Sequence, residues 1–178
     1  MDTSTELARR LENLIRLGTV AEVNHATARC RITAGNLTTH WLAWVALRAG
    51  ASQDWDPPTI GEQCLVFSPS GDPAQGIALV GIYSEAHPAP ANSATVRRRA
   101  YPDGALIQYD HASHTLHATL PAGGRAVLEA PAGVQILGDV DITGTVTVSE
   151  DVVASGISLV EHVHGSVQRG NSSTGAPQ

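Results

Sequence analysis

Between Val134 and Gly156 the chain repeats every six residues, and that period limits the fold more than any other feature of the sequence. Val134, Ile136, Val140, Ile142, Val146, Val148, Val152 and Ala154 take the first and third places of successive hexads. Gly138, Gly144 and Gly156 take the fifth place, which Glu150 fills in the remaining hexad. Alternation with period two places the even-numbered residues on one buried face of an extended chain. Glycine at every sixth position adds a regular bend, because only glycine turns a strand without a Cβ clash. Together these predict a β-helix.

One chain cannot form it alone. Ordering each residue costs about 1–2 kcal/mol of backbone entropy, whereas burying a Val or Ile returns about 1.5–3 kcal/mol. Fewer than one residue in three here is a Val or Ile on the inner face. A single-chain β-helix of the hexapeptide kind also uses about 18 residues per coil and several coils, and four hexads give little more than one. Three chains wound about a common axis bury the aliphatic rows against one another and pair strands between chains, which leaves few free edges. The expected fold class is therefore all-β: a short N-terminal helix, an OB-fold-like barrel, then an intertwined triple-stranded β-helix formed by a homotrimer.

Composition agrees with a thin, regular C-terminal core. All aromatic residues lie between Trp41 and Tyr109, so residues 110–178 can bury only aliphatic side chains. Residues 1–101 balance nine Arg against nine Asp or Glu, while residues 102–178 hold two Arg against eight acids, a net of −6. An acidic rod is not a nucleic-acid partner, since phosphates demand a basic footprint. No signal peptide and no apolar stretch of about 18 residues is present, so neither secretion nor membrane spanning is expected.

The N-terminal half divides by pattern. Residues 1–18 read as a helix, with Ser4 as cap, Leu7, Leu11, Leu14 and Ile15 on one face, and Gly18 at the C′ position. Residues 19–85 read as a collar of short strands: Thr19–Val23, Ala28–Thr33, Thr39–Leu47, Gln63–Ser68 and Ile77–Tyr83. Five strands in so short a span suit an OB-fold. Trp41 and Trp44 fit its core or an interface as well as a stacking platform. Cys30 and Cys64 lack metal-ligand spacing and are expected as buried thiols. Residues 86–101, rich in Pro and ending in Arg97, Arg98 and Arg99, read as a linker with a solvated basic patch. Residues 102–165 are assigned to the spike, beginning with a hairpin of Ala105–Asp110 and Thr115–Leu120, and residues 166–178 to a C-terminal tip segment.

Near that tip stand His162 and His164. Residues i and i+2 of a strand share a face, and a three-fold axis turns two imidazoles into six around one point. Six nitrogens favour an octahedral transition ion over structural zinc, which usually takes four ligands. His111, His114 and His117 lack this arrangement and are expected at the surface.

The order of parts resembles the baseplate assembly protein V spikes of P2-like contractile phage tails and R-type pyocins. The stretches that carry the resemblance are residues 11–20, Leu47-Arg48-Ala49-Gly50, Gly61-Glu62-Gln63, Ser68-Pro69-Ser70-Gly71-Asp72, His87-Pro88-Ala89-Pro90, and His162-Val163-His164-Gly165 with a Pro177-Gln178 ending. The resemblance implies a trimer with an OB-fold collar, and an apex where His162 and His164 of three chains hold one iron ion per trimer in six histidines. It implies a structural, non-enzymatic spike at the tail tip that penetrates the host outer membrane when the sheath contracts. Its partners would be the tail hub and baseplate proteins, with no nucleic acid. It would be made in the host bacterial cytoplasm and carried in a virion or bacteriocin particle.

Two other readings are weaker. A hexapeptide-repeat acyltransferase needs more coils than four hexads supply, and an OB-fold nucleic-acid-binding module needs a basic groove. Paired carboxylates for glycan hydrolysis are not evident, because Asp139 and Asp141 fall on the outer face. The face assignment has a direct test. Val146→Asp brings three like charges to the axis, which is costly to desolvate, and should cause misassembly in size-exclusion chromatography. Thr147→Asp should assemble normally; equal tolerance of both would mean the faces are reversed.

Overall fold

The computed structural model describes residues 3–166 and Gly170. The chain forms two compact units, divided after Ala126.

The first unit opens with helix α1, Thr3–Leu14. In its first turn Glu6 receives the guanidinium groups of Arg9 at 2.8 Å and Arg10 at 2.7 Å, spacings that bring side chains together on a helix surface. Hydrogen bonds from Arg9 and then Arg10 hold the Glu6 carboxyl down at about 2. The helix stops four residues before Gly18, where the sequence suggested its end. From Ile15 the backbone pairs instead as strand β1, Ile15–Asn24, against β5, Gln63–Phe67, in the register Ile15↔Phe67 to Thr19↔Gln63. Ladder bonds replace helical ones, so Gly18 is a strand residue and not a cap. It is glycine for a packing reason: a Cβ there would sit 2.5 Å from Ile32 Cγ2 and 2.9 Å from the Thr33 carbonyl oxygen.

β1 is the spine of a six-stranded sheet. Its other edge carries β2, Arg29–Ala34, which pairs with β3, Leu37–Thr38. Beyond β5 lie β6, Ile77–Ile82, and then β4, Ala43–Trp44, giving the order β3-β2-β1-β5-β6-β4. The sheet curls closed. β4 runs parallel to β6, while the adjacent Leu42 exchanges backbone bonds of 2.8 and 2.9 Å with Cys30 of β2. The expected single strand Thr39–Leu47 is broken because this segment crosses between the two ends of the sheet. At the break, the Thr39 hydroxyl accepts from the Ile32 amide at 3.0 Å and donates to the His40 carbonyl at 2.8 Å, so buried backbone stays paired.

Alternation along these strands points Val20, Cys30, Ile32, Leu42, Cys64, Val66 and Ala78 into the core. Cys30 and Cys64 are free, buried thiols. Burial, with Cys30 second, pushes Cys64 up to about 11, which keeps it from acting as a thiolate nucleophile.

The segment expected as linker ends in a strand. β7, Val96–Ala100, pairs with β8, Leu106–Asp110, and β8 with β9, Thr115–Thr119. The arginine run therefore alternates across a sheet. Arg98 donates to Gln108 at 2.8 Å and to the Pro90 carbonyl at 2.8 Å, while Arg99 pairs with Asp56 at 2.6 Å. His111, His114 and His117 are exposed, as expected.

In the second unit, residues 127–152 form no strand within the chain. The seven Val and Ile side chains at the first and third places of the hexads are 44–65% exposed. Gly138 and Gly144 adopt φ of +133° and +138°, a conformation L side chains rarely take, so the periodic glycines do bend the backbone. β10, Val153–Ala154, then pairs with β11, Ile157–Ser158. Ser155 and Gly156, at φ +51° and +82°, make the two-residue turn whose positive φ values match hairpin twist. The chain thus reverses direction after Gly156. Among the described residues, no helix is long and apolar enough to cross a membrane.

Gly18→Ala should lower stability by about 1–3 kcal/mol, the usual cost of overpacking. Chemical denaturation of the folded protein measures it. A change below a few tenths would show that β2 yields to the added methyl.

Candidate metal centre

The tip is built outward from the β10–β11 hairpin. Asp151 leads into it, and its Oδ1 accepts from the Val152 amide at 2.8 Å and the Val160 amide at 3.1 Å. The Leu159 amide donates to the Val152 carbonyl at 2.9 Å, and the Glu161 amide to Ser158 Oγ at 2.8 Å. A hydrogen bond from Ser158 leads the effects that hold the Asp151 carboxyl below its ordinary value, followed after desolvation by the Val160 and Val152 amides. These bonds fix the turn from which His162 emerges.

His162 Nδ1 lies 3.0 Å from the Ser158 carbonyl and 3.1 Å from that of Leu159. As carbonyls only accept, Nδ1 carries the proton there. That leaves Nε2 as the lone-pair nitrogen, the arrangement by which a backbone carbonyl orients a ligating histidine. The His162 and His164 rings stand 5.2 Å apart between centroids and nearly perpendicular, at 82°. They do not lie on a regular strand, since β11 ends at Ser158 and residues 159–161 turn ahead of them. Among the described residues, no group of three or more His, Cys, Asp or Glu in one chain could hold a metal. Two imidazoles per chain make a site only if other chains add theirs.

Residues 16–83, which include nearly all of the closed sheet, match the family described as the Type VI secretion system/phage-baseplate injector OB domain. Residues 156–178 match the GpV Apex motif, which spans His162 and His164. Both matches liken parts of the chain to phage baseplate proteins. The chain is 42% identical over 105 residues to the spike protein of Escherichia phage P2, an alignment covering 59% of this chain and 50% of that protein. The chain thus spans about half the length of the curated relative it matches. The expected segment 166–178 lies, apart from Ser166 and Gly170, outside the described residues.

Sequence reasoning found the histidine pair but missed Asp151 and Ser158. The signal was present: Glu150-Asp151 interrupts the hexads where glycine was due, and an Asp ahead of a turn commonly accepts local amides. Because the folded Asp151 carboxyl is depressed, its contribution is full above the ordinary carboxylate pKa, about 3.9, and is lost as pH falls through the lowered value. Asp151→Ala should therefore speed amide exchange at Val160 and Leu159 near neutral pH, read by NMR. Acidification below the carboxylate range should loosen the wild-type hairpin in the same way and leave the variant unchanged.

Proposed function

We propose that this protein is a homotrimeric membrane-piercing spike at the tip of a contractile-tail baseplate, a structural part with no catalytic role. The observation that carries the reading is the apex motif over a histidine pair that one chain cannot complete. Exposure of the hexad face supports it. Seven aliphatic side chains in regular register, left in water by a single chain, are a surface that asks for cover. The first unit has a similar surface, where Leu7 and Leu11 of α1 and Ile15 and Leu17 of β1 are each 57–59% exposed.

In the trimer, residues 134–154 of three chains would wind about one axis, with Val140, Ile142, Val146 and Val148 inward. Strands laddered to two neighbours resist axial load, because no chain can slide without breaking bonds to both. His162 and His164 of each chain would hold one ion at the apex. Iron suits six imidazole nitrogens and is what the spike family implies. Bound there, the ion supplies cross-linking alone, since six protein ligands leave no open position for substrate. His162 offers Nε2 with Nδ1 already fixed by backbone, which limits the freedom lost on binding. The collar would seat on the tail hub within the virion or bacteriocin particle, and the tip would meet the host outer membrane.

The protein should run as a trimer by light scattering at micromolar concentration, with one-third of an iron atom per chain by elemental analysis. The double variant His162→Ala/His164→Ala should lose the metal and keep the trimer, because aliphatic burial holds the rest. A monomer, or one metal per chain, would refute the shared site.

A further inference from the structure

The first unit carries two apolar surfaces that one chain leaves uncovered. One is the outer face of the closed sheet. Its alternate residues form two cross-strand rows, Ile15–Phe67–Ile77 and Leu17–Leu65–Leu79, across β1, β5 and β6. Five of the six are 37–58% exposed, and Leu65 is half-buried. The residues between them on β5 and β6, Cys64, Val66 and Ala78, already fill the core, so both faces of these strands are apolar here. Strands of that kind belong to sheets covered on both sides, whereas a sheet with one wet face alternates apolar with polar.

The other surface is on α1. Leu7, Leu11 and Leu14 share a face by their spacing, yet Leu7 and Leu11 are more than half exposed. The side that packs is polar. Asn13 is buried, and the Arg10 backbone closes on Gly71 with no room for a Cβ. The Ser68 amide donates to the Leu14 carbonyl at 2.9 Å, which ties the helix end beside the turn Pro69–Gly71. A helix on a globular core ordinarily turns its leucines inward. Here the docking on 69–71 holds them outward, so they are not spent on the chain's own core.

We propose that these two surfaces meet between copies: the leucine face of α1 in one chain packs on the outer β1–β5–β6 face of the next, around a ring of three collars. The inference rests on the trimer reading and names the surfaces by which the collars join. About a three-fold axis a patch does not face its own copy, so each contact joins two unlike surfaces. The chain supplies two, a helical ridge and a sheet, and a helix on a sheet is a standard packed layer. A foreign partner would ask for only one of them. Together the patches expose about 800 Å² of apolar side chain, which at an apolar share of roughly 60% makes an interface of about 1,300 Å² per pair, within the range of stable contacts. The hexad segments, wound together, keep the three collars at high effective concentration, so copies reach these surfaces ahead of other proteins.

The test uses the full-length chain with single added thiols, since Cys30 and Cys64 are buried and thiol reactivity follows exposure. Leu79→Cys is compared with Ala112→Cys, which lies in the exposed β8–β9 turn. In the trimer a maleimide should label position 79 at least about ten-fold more slowly than position 112. Adding Leu7→Glu and Leu11→Glu should speed labelling at 79 at least about five-fold, with the mass by light scattering still that of a trimer. Separately, Leu11→Cys with Leu79→Cys, treated with a short bismaleimide, should give covalent dimers and trimers on a denaturing gel. This cross-link decides alone should the glutamate variant fail to fold. The inference is overturned by a trimer that labels 79 as fast as 112, by masking that survives the glutamates, or by cross-links confined to single chains. In those outcomes the trimer reading stands and the sheet face is left to another occupant, the tail hub among them. A monomeric wild-type protein would end both.

Discussion

Residues 134–152 carry an aliphatic side chain at nearly every second position and form no strand within one chain. A segment in that condition has two deficits at once. Its amides and carbonyls lack ladder partners, and its apolar face lacks cover. Both can be met only from outside the chain, and by the same act, because a neighbouring strand that supplies hydrogen bonds also brings its own aliphatic row. The glycines at 138 and 144 fit this requirement. Their positive φ turns the path without a side chain, so the bends add no bulk where strands of different chains would come together.

The barrel meets the opposite condition. Cys30 and Leu42 close the sheet through two backbone bonds, and the residues they join are buried in one core. The core residues find their apolar neighbours within the first unit. The collar is a closed sheet built within one unit. Its outer face, with Leu7, Leu11, Ile15 and Leu17 exposed, is then left for assembly. This division places self-sufficiency where the chain must hold its own shape and dependence where three copies would interlock.

How much of this was legible in the sequence depended on which force chose the structure. β1, β2, β5 and β6 follow period-two burial, and their alternating residues located them within a few positions. The end of α1 was not legible, because Gly18 looks like a helix stop and is in fact a packing residue beneath Ile32 and Thr33. Only the tertiary contact tells these apart. β7 was hidden by composition: three successive arginines read as solvent-facing charge, and they are exposed, but they stand on a strand paired with β8. The Thr39 break was hidden too, since it arises from the strand changing partners and not from any local preference.

At the tip the same limit appears in a more instructive form. Alternation placed His162 and His164 on a shared strand face, and the rings do lie close together, although no strand is there. A turn held by Asp151 and Ser158 leads into them in place of a strand. The turn also does something a strand would not. It brings the carbonyls of Ser158, the last residue of β11, and of Leu159 within 3.0 and 3.1 Å of His162 Nδ1. The histidine is thereby left with one lone-pair nitrogen and a restrained ring before any partner arrives. A ligand oriented by its own chain adds affinity mainly through entropy not lost on binding. The departure from regular β-structure at 159–164 would thus suit these residues to a site shared between chains.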